Sequence, residues 1–482
     1  MQTIQEDPGA ILPYNMHVSS RYLDLTRQKL ELTRLPKENG REGDAWALGT
    51  PKSVLEPLLD YWLETYDWRA SEERFNAALP QFRTLPALDN TNYKEPVRTH
   101  FVHARSPDPT AFPLLYIHDW PGSFIEATRL LPLLTSPPTP AHPTDSTAST
   151  APKHPPAFHV VVPSIPGFGF SDASPDPSFG AAGAAAVFAG LMRRLGYAEY
   201  VVCGSGWGFE VARALARRGE GVVGVFTWNP VFGAPTARGE FGAWVRWLVA
   251  RVTGARWPGA SFGYVPAEVR GVDEGGGEGG GRGAGARPLG PVLHQLLASR
   301  PQTLAFSLCD SPVGLLGVLL DLVAARGEIR APAVRPRSPF LDPGELEMQD
   351  REYEAAGHER VRSDDTIKAA DHNGNLTDLT CRMWLPGAEA GLRWLRRAHI
   401  ETSAPTWRAY CSVPLGISSF RTRAAATPLM WGAASWPIAW VQRHQEAAEM
   451  PAWEAPELLA GDVRECFGRL LDGRGRSAEV MV

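Results

Sequence analysis

The stretch Tyr200-Val-Val-Cys-Gly-Ser-Gly-Trp-Gly-Phe-Glu-Val-Ala-Arg213 leaves little freedom in what this chain can fold into. An apolar, extended run ends at Cys203, and a helix-forming run begins beyond Gly208. Between them Gly204 and Gly208 stand two places either side of position 206, the pattern of a sharp strand-to-helix turn that presents its apex side chain at the edge of a sheet. The apex residue here is Gly206, which has no side chain to present.

The flanking chain extends the pattern. Apolar runs at 114–117, 158–162, 200–203 and 223–228 read as buried strands, and 181–195 and the run to Arg218 read as helices. Strands alternating with helices predict an α/β fold with a mostly parallel sheet. Arg98–His103 alternates as a further strand, and 407–417 and 437–441 are the last candidates. Near the N-terminus Leu55, Leu58, Leu59 and Trp62 share one helix face. Residues 136–157, rich in Pro, Ser and Thr, and the Gly-rich 271–287 offer too little apolar area to order themselves and read as surface insertions.

Hydrophobic residues make up 44% of the 482, a globular composition. The net charge of −5 gives no basic excess for nucleic acid. Five cysteines, an odd number with no Cys-x-x-Cys, point to reduced thiols. The polar N-terminus does not read as a secretory signal. The longest apolar run, Val313 to Ala325, is broken by Gly317 and Asp321 and is too short for a transmembrane segment. A cytoplasmic or peripherally membrane-associated protein is expected, without metal or cofactor.

Three motifs carry a resemblance: Leu114-Leu-Tyr-Ile-His-Asp-Trp-Pro-Gly-Ser-Phe124, Val160-Val-Val-Pro-Ser-Ile-Pro-Gly-Phe-Gly-Phe-Ser171 and the Gly204–Gly208 turn. Together they resemble the microsomal-type epoxide hydrolases and their fungal relatives, which read His-Gly-Trp-Pro-Gly-Ser-Phe, then Pro-Ser-Ile/Leu-Pro-Gly-Phe/Tyr-Gly-Phe-Ser, then Gly-Gly-Asp-Trp-Gly. Tyr66-Asp-Trp-Arg69, Leu79–Thr84, Ser299–Leu315 and Trp453–Arg464 are similar to the same family. The resemblance implies an α/β-hydrolase with an N-terminal arm at 1–110, a first core segment at 111–234, a helical cap and return at 235–400, and a second core segment at 401–482.

It also implies a chemistry. The family's elbow Asp attacks an epoxide carbon while two cap tyrosines protonate the oxygen. A His–acid pair then activates water against the ester, and backbone N–H groups form the oxyanion hole. Carried over residue by residue, the nucleophile falls on Gly206, the acid on Arg423, the His on Glu449, and the tyrosines on Leu293 and on Leu395 or Arg396. Asp119 replaces the usual Gly of the oxyanion-hole motif and is expected to put negative charge near a developing oxyanion.

Glu449, Arg423 and Asp119 are therefore the candidate catalytic residues, with Glu449 and Arg423 read as an ion pair. Trp120, Pro121, Trp207 and Leu293 are the candidate substrate-binding residues. Ser205 is a poor nucleophile beside bulky Trp207, Cys203 reads as core, His118 as a structural loop residue, Asp310 as a helix N-cap, and His444 as a base only under a shifted register. Two functions stay open. One is an enzyme acting on a small hydrophobic metabolite, of secondary metabolism, by epoxide opening, cyclisation or isomerisation without an Asp ester; no alkyl-enzyme ester is expected, because Gly206 offers no oxygen and Ser205 is blocked by Trp207. The other is an inactive binding or scaffold protein. A small hydrophobic substrate is the expected partner, and a homodimer is left open.

Overall fold

The computed structural model describes residues 9–38, 46, 48–88, 93, 95–136, 156–275, 290–326, 375–422 and 427–472. Among them nine strands form one sheet: β1 (Leu12–Pro13), β2 (Gln81–Thr84), β3 (Thr99–Ala104), β4 (Phe112–Ile117), β5 (Phe158–Pro163), β6 (Tyr200–Gly204), β7 (Val222–Trp228), β8 (Leu415–Arg421) and β9 (Ile438–Ala447). Their order is β1-β2-β3-β5-β4-β6-β7-β8-β9. Pairing is antiparallel from β1 through β3 to β5 and parallel from β5 through β4 to β9. The four strands expected at 114–117, 158–162, 200–203 and 223–228 are all present and parallel.

The middle strands are apolar on both faces because both faces are covered. Leu114, Leu115, Val160, Val161, Val201 and Val202 have no exposed surface, the signature of a parallel sheet between helical layers. Helices Ala181–Arg194 and Gly206–Arg218 supply Val187, Leu191, Val211 and Leu215 to one core. Helices Leu130–Thr135 and Pro456–Asp472 supply Leu131, Val463 and Phe467 to the other. Each such large side chain contributes about 1.5–3 kcal/mol on burial.

Specific contacts fix the N-terminal arm. Asp67 caps helix Trp68–Ala78 by accepting the Arg69 N–H at 2.8 Å. Trp68 is buried, and Arg69 donates to the Val18 carbonyl at 2.6 Å, which ties the helix to the chain's first turns. The Tyr66 hydroxyl and Arg74 both bind the buried carboxylate of Asp378, on helix Asn375–Trp384 between β7 and β8. The arm thus packs on that helix and on Pro312–Arg326.

Several boundaries differ from expectation. Residues 405–408 form a 3₁₀ turn, and the strand starts only at Leu415, because Pro405 and Pro414 withhold ladder N–H groups. The last strand runs on to Ala447. The closing helix spans Pro456–Asp472, after a short turn at Pro451–Glu454. Residues 271–275 end helix Pro266–Gly275, while the remainder of the Gly-rich run and 137–155 lie outside the described residues. Ser311, and not Asp310, caps Pro312–Arg326, since its Oγ accepts the Gly314 N–H at 2.9 Å.

Candidate active site

Strand order reverses around β4: its successor β5 lies on one side and β6 on the other. Ligands of open α/β sheets bind at such switch points, beyond the carboxyl ends of the strands. Ile117 is paired with Gly204 there, so the loop that follows β4 meets the turn that follows β6. The turn is sharp: Gly206 has φ +50°, and a Cβ on Gly208 would stand 2.2 Å from the Ile117 carbonyl oxygen. Only glycine allows that approach.

The loop brings a carboxylate to this junction. Asp119 is buried, and its Oδ1 accepts the N–H of Trp120 at 2.8 Å and the N–H of Trp207 at 2.7 Å. One amide comes from the loop after β4 and one from the residue after the turn's apex, the two sources from which such folds build an oxyanion hole. A Cβ on Gly206 would fall 2.2 Å from Asp119 Oδ2 and 2.3 Å from Cγ and Oδ1. The Asp119 carboxylate fills the space that a side chain at 206 would enter. It also lies at the N-terminus of helix Gly206–Arg218, where the dipole favours negative charge. Asp119 thus puts its negative charge on these two N–H groups, as its sequence position suggested.

His118 holds the loop in place. Its Nδ1–H donates to the Asp119 carbonyl at 2.9 Å, and its Nε2 accepts the Ile165 N–H at 3.0 Å. Burial pulls this imidazole down to about 4, so it is a neutral structural residue as expected. The following Trp120–Pro121 peptide is cis.

The other candidates divide. Trp120 lines a cleft with Phe168, Leu308, Leu315 and Leu392 between the sheet edge and the helices joining β7 to β8. Pro121, Trp207 and Leu293 are not among its walls. Trp207 instead packs edge-on against Trp394 with centroids 5.9 Å apart, and Leu293 packs against the first core. Leu395 is buried, and Arg396 donates to the Ser299 carbonyl at 2.6 Å, so neither offers a phenol equivalent. Burial raises the Cys203 thiol well above its ordinary value, as fits a core residue.

Glu449 is half-buried beyond the end of β9, next to Ala448, whose carbonyl accepts from Asn229 Nδ2 at 3.0 Å. Arg423 lies outside the described residues, and with it the expected ion pair. His444 has a partner that sequence reasoning missed: its Nε2 meets Asp462 Oδ2 at 2.6 Å, its ring stacks on Phe420 at 4.4 Å, and the Ser418 hydroxyl donates to the same carboxylate. Burial raises the Asp462 carboxyl from its usual range, and the bonds from Ser418 and His444 oppose that rise. This cluster borders helix Pro456–Asp472, on the face opposite the elbow helix.

The family model "Epoxide hydrolase N terminus" matches residues 11–127. A protein of Stigmatella aurantiaca named "Putative epoxide hydrolase" is 28% identical over 465 residues, 95% of this chain and 85% of that relative. The chain is thus similar to epoxide hydrolases, by a family model over its N-terminal part and by a relative along most of its length. "Epoxide hydrolase 1" of Sus scrofa is 34% identical over 215 residues, 43% of this chain and 42% of that protein, so this match spans less than half of either. The solved epoxide hydrolase of Aspergillus niger shares the fold, with a TM-score of 0.64 at 20% identity over 96% of this chain and 97% of that one. The juvenile hormone epoxide hydrolase of Bombyx mori does so with 0.63 at 20% identity, over 98% and 96%.

The epoxide hydrolase motifs that this chain resembles differ from it at two points of the elbow. Where those motifs have Gly in the loop and Asp at the apex, this chain has Asp119 and Gly206, and the structure puts both at one point.

Proposed function

We propose that this protein opens an epoxide ring on a small hydrophobic molecule, with Asp119 supplying the carboxylate that relatives carry at the elbow. The observation behind this reading is the pair of N–H groups, from Trp120 and Trp207, on one oxygen of a carboxylate that stands where the residue-206 side chain would be. An Asp119 oxygen forms a bond to an epoxide carbon as the ring C–O bond breaks, and the alkoxide takes a proton from water. Water then adds to Cγ of the ester, the carbonyl oxygen gains negative charge between the two N–H groups, and the diol leaves. This reading departs from the expectation that no ester forms, which rested on Gly206 and on Ser205 beside Trp207, by placing the ester on Asp119.

Nothing at positions 293 and 395 can donate a proton, and Glu449 stands where the family has its histidine. These losses support slow turnover with an accumulating ester, with Glu449 as the base of the second step. They also favour the second reading, a protein that binds such molecules without turnover. Single-turnover reaction with styrene oxide in heavy-oxygen water separates the two. Label in the peptide bearing Asp119 supports the ester route; diol formed with no label in any carboxylate rejects it; and no reaction at all leaves the binding reading.

A further inference from the structure

Helix Phe241–Thr253, which follows β7, is apolar on two opposite sides. Its inner side is buried: Ala243, Trp247 and Ala250 have little exposed surface, and Trp247 packs edge-on against Trp431 with centroids 5.3 Å apart. At about 100° per residue, Phe241, Val245, Leu248 and Val252 fall within about 60° of one another on the opposite side. That outer stripe is in solvent: Val252 is 79% exposed, Phe241 is 65% exposed, and Val245 and Leu248 are exposed as well. Beyond the helix two more large apolar side chains stand in solvent, Trp257 at 69% exposure and Phe262. Single exposed apolar residues are ordinary, whereas a row of them along one face marks a contact site.

The charges of this stretch have one sign. Arg246, Arg251 and Arg256 are the only charged side chains from residue 241 to residue 267, and all three are exposed. By helical spacing Arg246 and Arg251 stand on either side of the stripe. The acids at the two ends are engaged elsewhere. Glu240 accepts from the Thr236 N–H and hydroxyl, both at 2.9 Å, and Glu268 is paired with Arg443 at 2.9 Å.

We infer that this stripe docks on an anionic lipid bilayer, with the apolar row at the boundary of headgroups and acyl chains and the arginines at the level of the phosphates. A helix with large apolar residues on one face and arginines beside them lies in that plane. Anionic headgroups attract such arginines. An exposed Trp suits the same depth, since its ring is apolar and its N–H polar. A second copy of this chain is the poorer match. Two such helices packed face to face would bring arginine against arginine, with no acid on either helix to oppose them. The inference does not depend on the chemistry at Asp119.

The test is cosedimentation of the full chain with vesicles of phosphatidylserine and phosphatidylcholine in equal parts, and with vesicles of phosphatidylcholine alone. The native protein is compared with Phe241→Asp/Val252→Asp and with Arg246→Gln/Arg251→Gln. Native affinity should be at least about tenfold higher for the anionic vesicles and should fall as salt is raised. Phe241→Asp/Val252→Asp should weaken it by at least about tenfold. Arg246→Gln/Arg251→Gln should weaken it on the anionic vesicles alone. Both variants change exposed side chains, so both should melt near the native temperature. No binding by the native protein, equal binding to the two vesicles, or binding unchanged in Phe241→Asp/Val252→Asp overturns the inference. A large fall in the melting temperature of Phe241→Asp/Val252→Asp also overturns it, because the chain itself would then cover the stripe. So does a native dimer, seen by sedimentation equilibrium without vesicle binding, that Phe241→Asp/Val252→Asp dissociates; the stripe would then join two copies.

Discussion

The junction of the β4 loop with the β6 turn and the carboxyl ends of β8 and β9 hold their ionisable groups in different ways. At the first, the Asp119 carboxylate stands where a side chain at position 206 would enter. At the second, Glu449 lies half-buried beyond β9, and His444 is held against Asp462 and Phe420. The difference is physical. Two backbone N–H groups aimed at one point define where a negative oxygen must sit, and either neighbouring strand end can deliver it. An imidazole has no such backbone cradle to define its place, so nothing selects a substitute from elsewhere.

The comparison breaks first at Asp119. Asp119→Asn should slow single-turnover reaction with styrene oxide by at least about a thousandfold, since the attacking charge is gone. A fall of less than about tenfold would move the chemistry away from the elbow.

Acid should attack the same loop. The His118 imidazole is depressed to about 4 in the folded state and is near 6.5 unfolded. The unfolded chain therefore takes up the proton first as pH falls from 6.5 toward 4. Stability is full above pH 6.5 and lost through that window, by on the order of 3 kcal/mol for this group. Urea midpoints measured from pH 7 to 4 should show the decline, and His118→Gln should flatten it. His100, depressed to about 3, adds a decline in the same direction that this variant leaves in place.

Crowding is the third lever. Gly206→Asp on its own places a second carboxylate where a Cβ already lies 2.2 Å from Asp119. A destabilisation of about 1–3 kcal/mol is expected from overpacking, before repulsion is added. Chemical denaturation reads it directly.

The smallest effect sharpens the other half of the comparison. His444→Phe keeps the stack on Phe420 but strips Asp462 of a partner, at roughly 1–3 kcal/mol. The rate of ester formation should not change. A drop in that rate would bring the β8–β9 end back into the first chemical step.

How much of this was visible in the sequence follows from range. The buried strands Leu114–Ile117 and Val160–Val162 are unbroken apolar runs, and Gly204 and Gly208 mark the turn after Tyr200–Gly204 by spacing alone. Asp67 caps a helix from within a local motif. The exchange between 119 and 206 was legible only as two separate losses, because the positions become neighbours only through the β4–β6 register. The Asp462 partner of His444 lies on another element, and helix Phe241–Thr253 is apolar on two sides whose letters do not say which is covered. Local chemistry is written locally, whereas a shared point in space requires the sheet order.

The most direct measurement puts the charge back. Asp119→Gly, Gly206→Asp and the double exchange are compared in single-turnover reaction with styrene oxide, with the labelled carboxylate located by mass spectrometry. The account predicts that both single variants lose ester formation, by absence of the carboxylate in one and by crowding in the other. The double exchange should regain it, with the label now at position 206. Full reaction in Asp119→Gly alone, or no recovery in a folded double exchange, would contradict the claim that one carboxylate has moved from the turn to the loop.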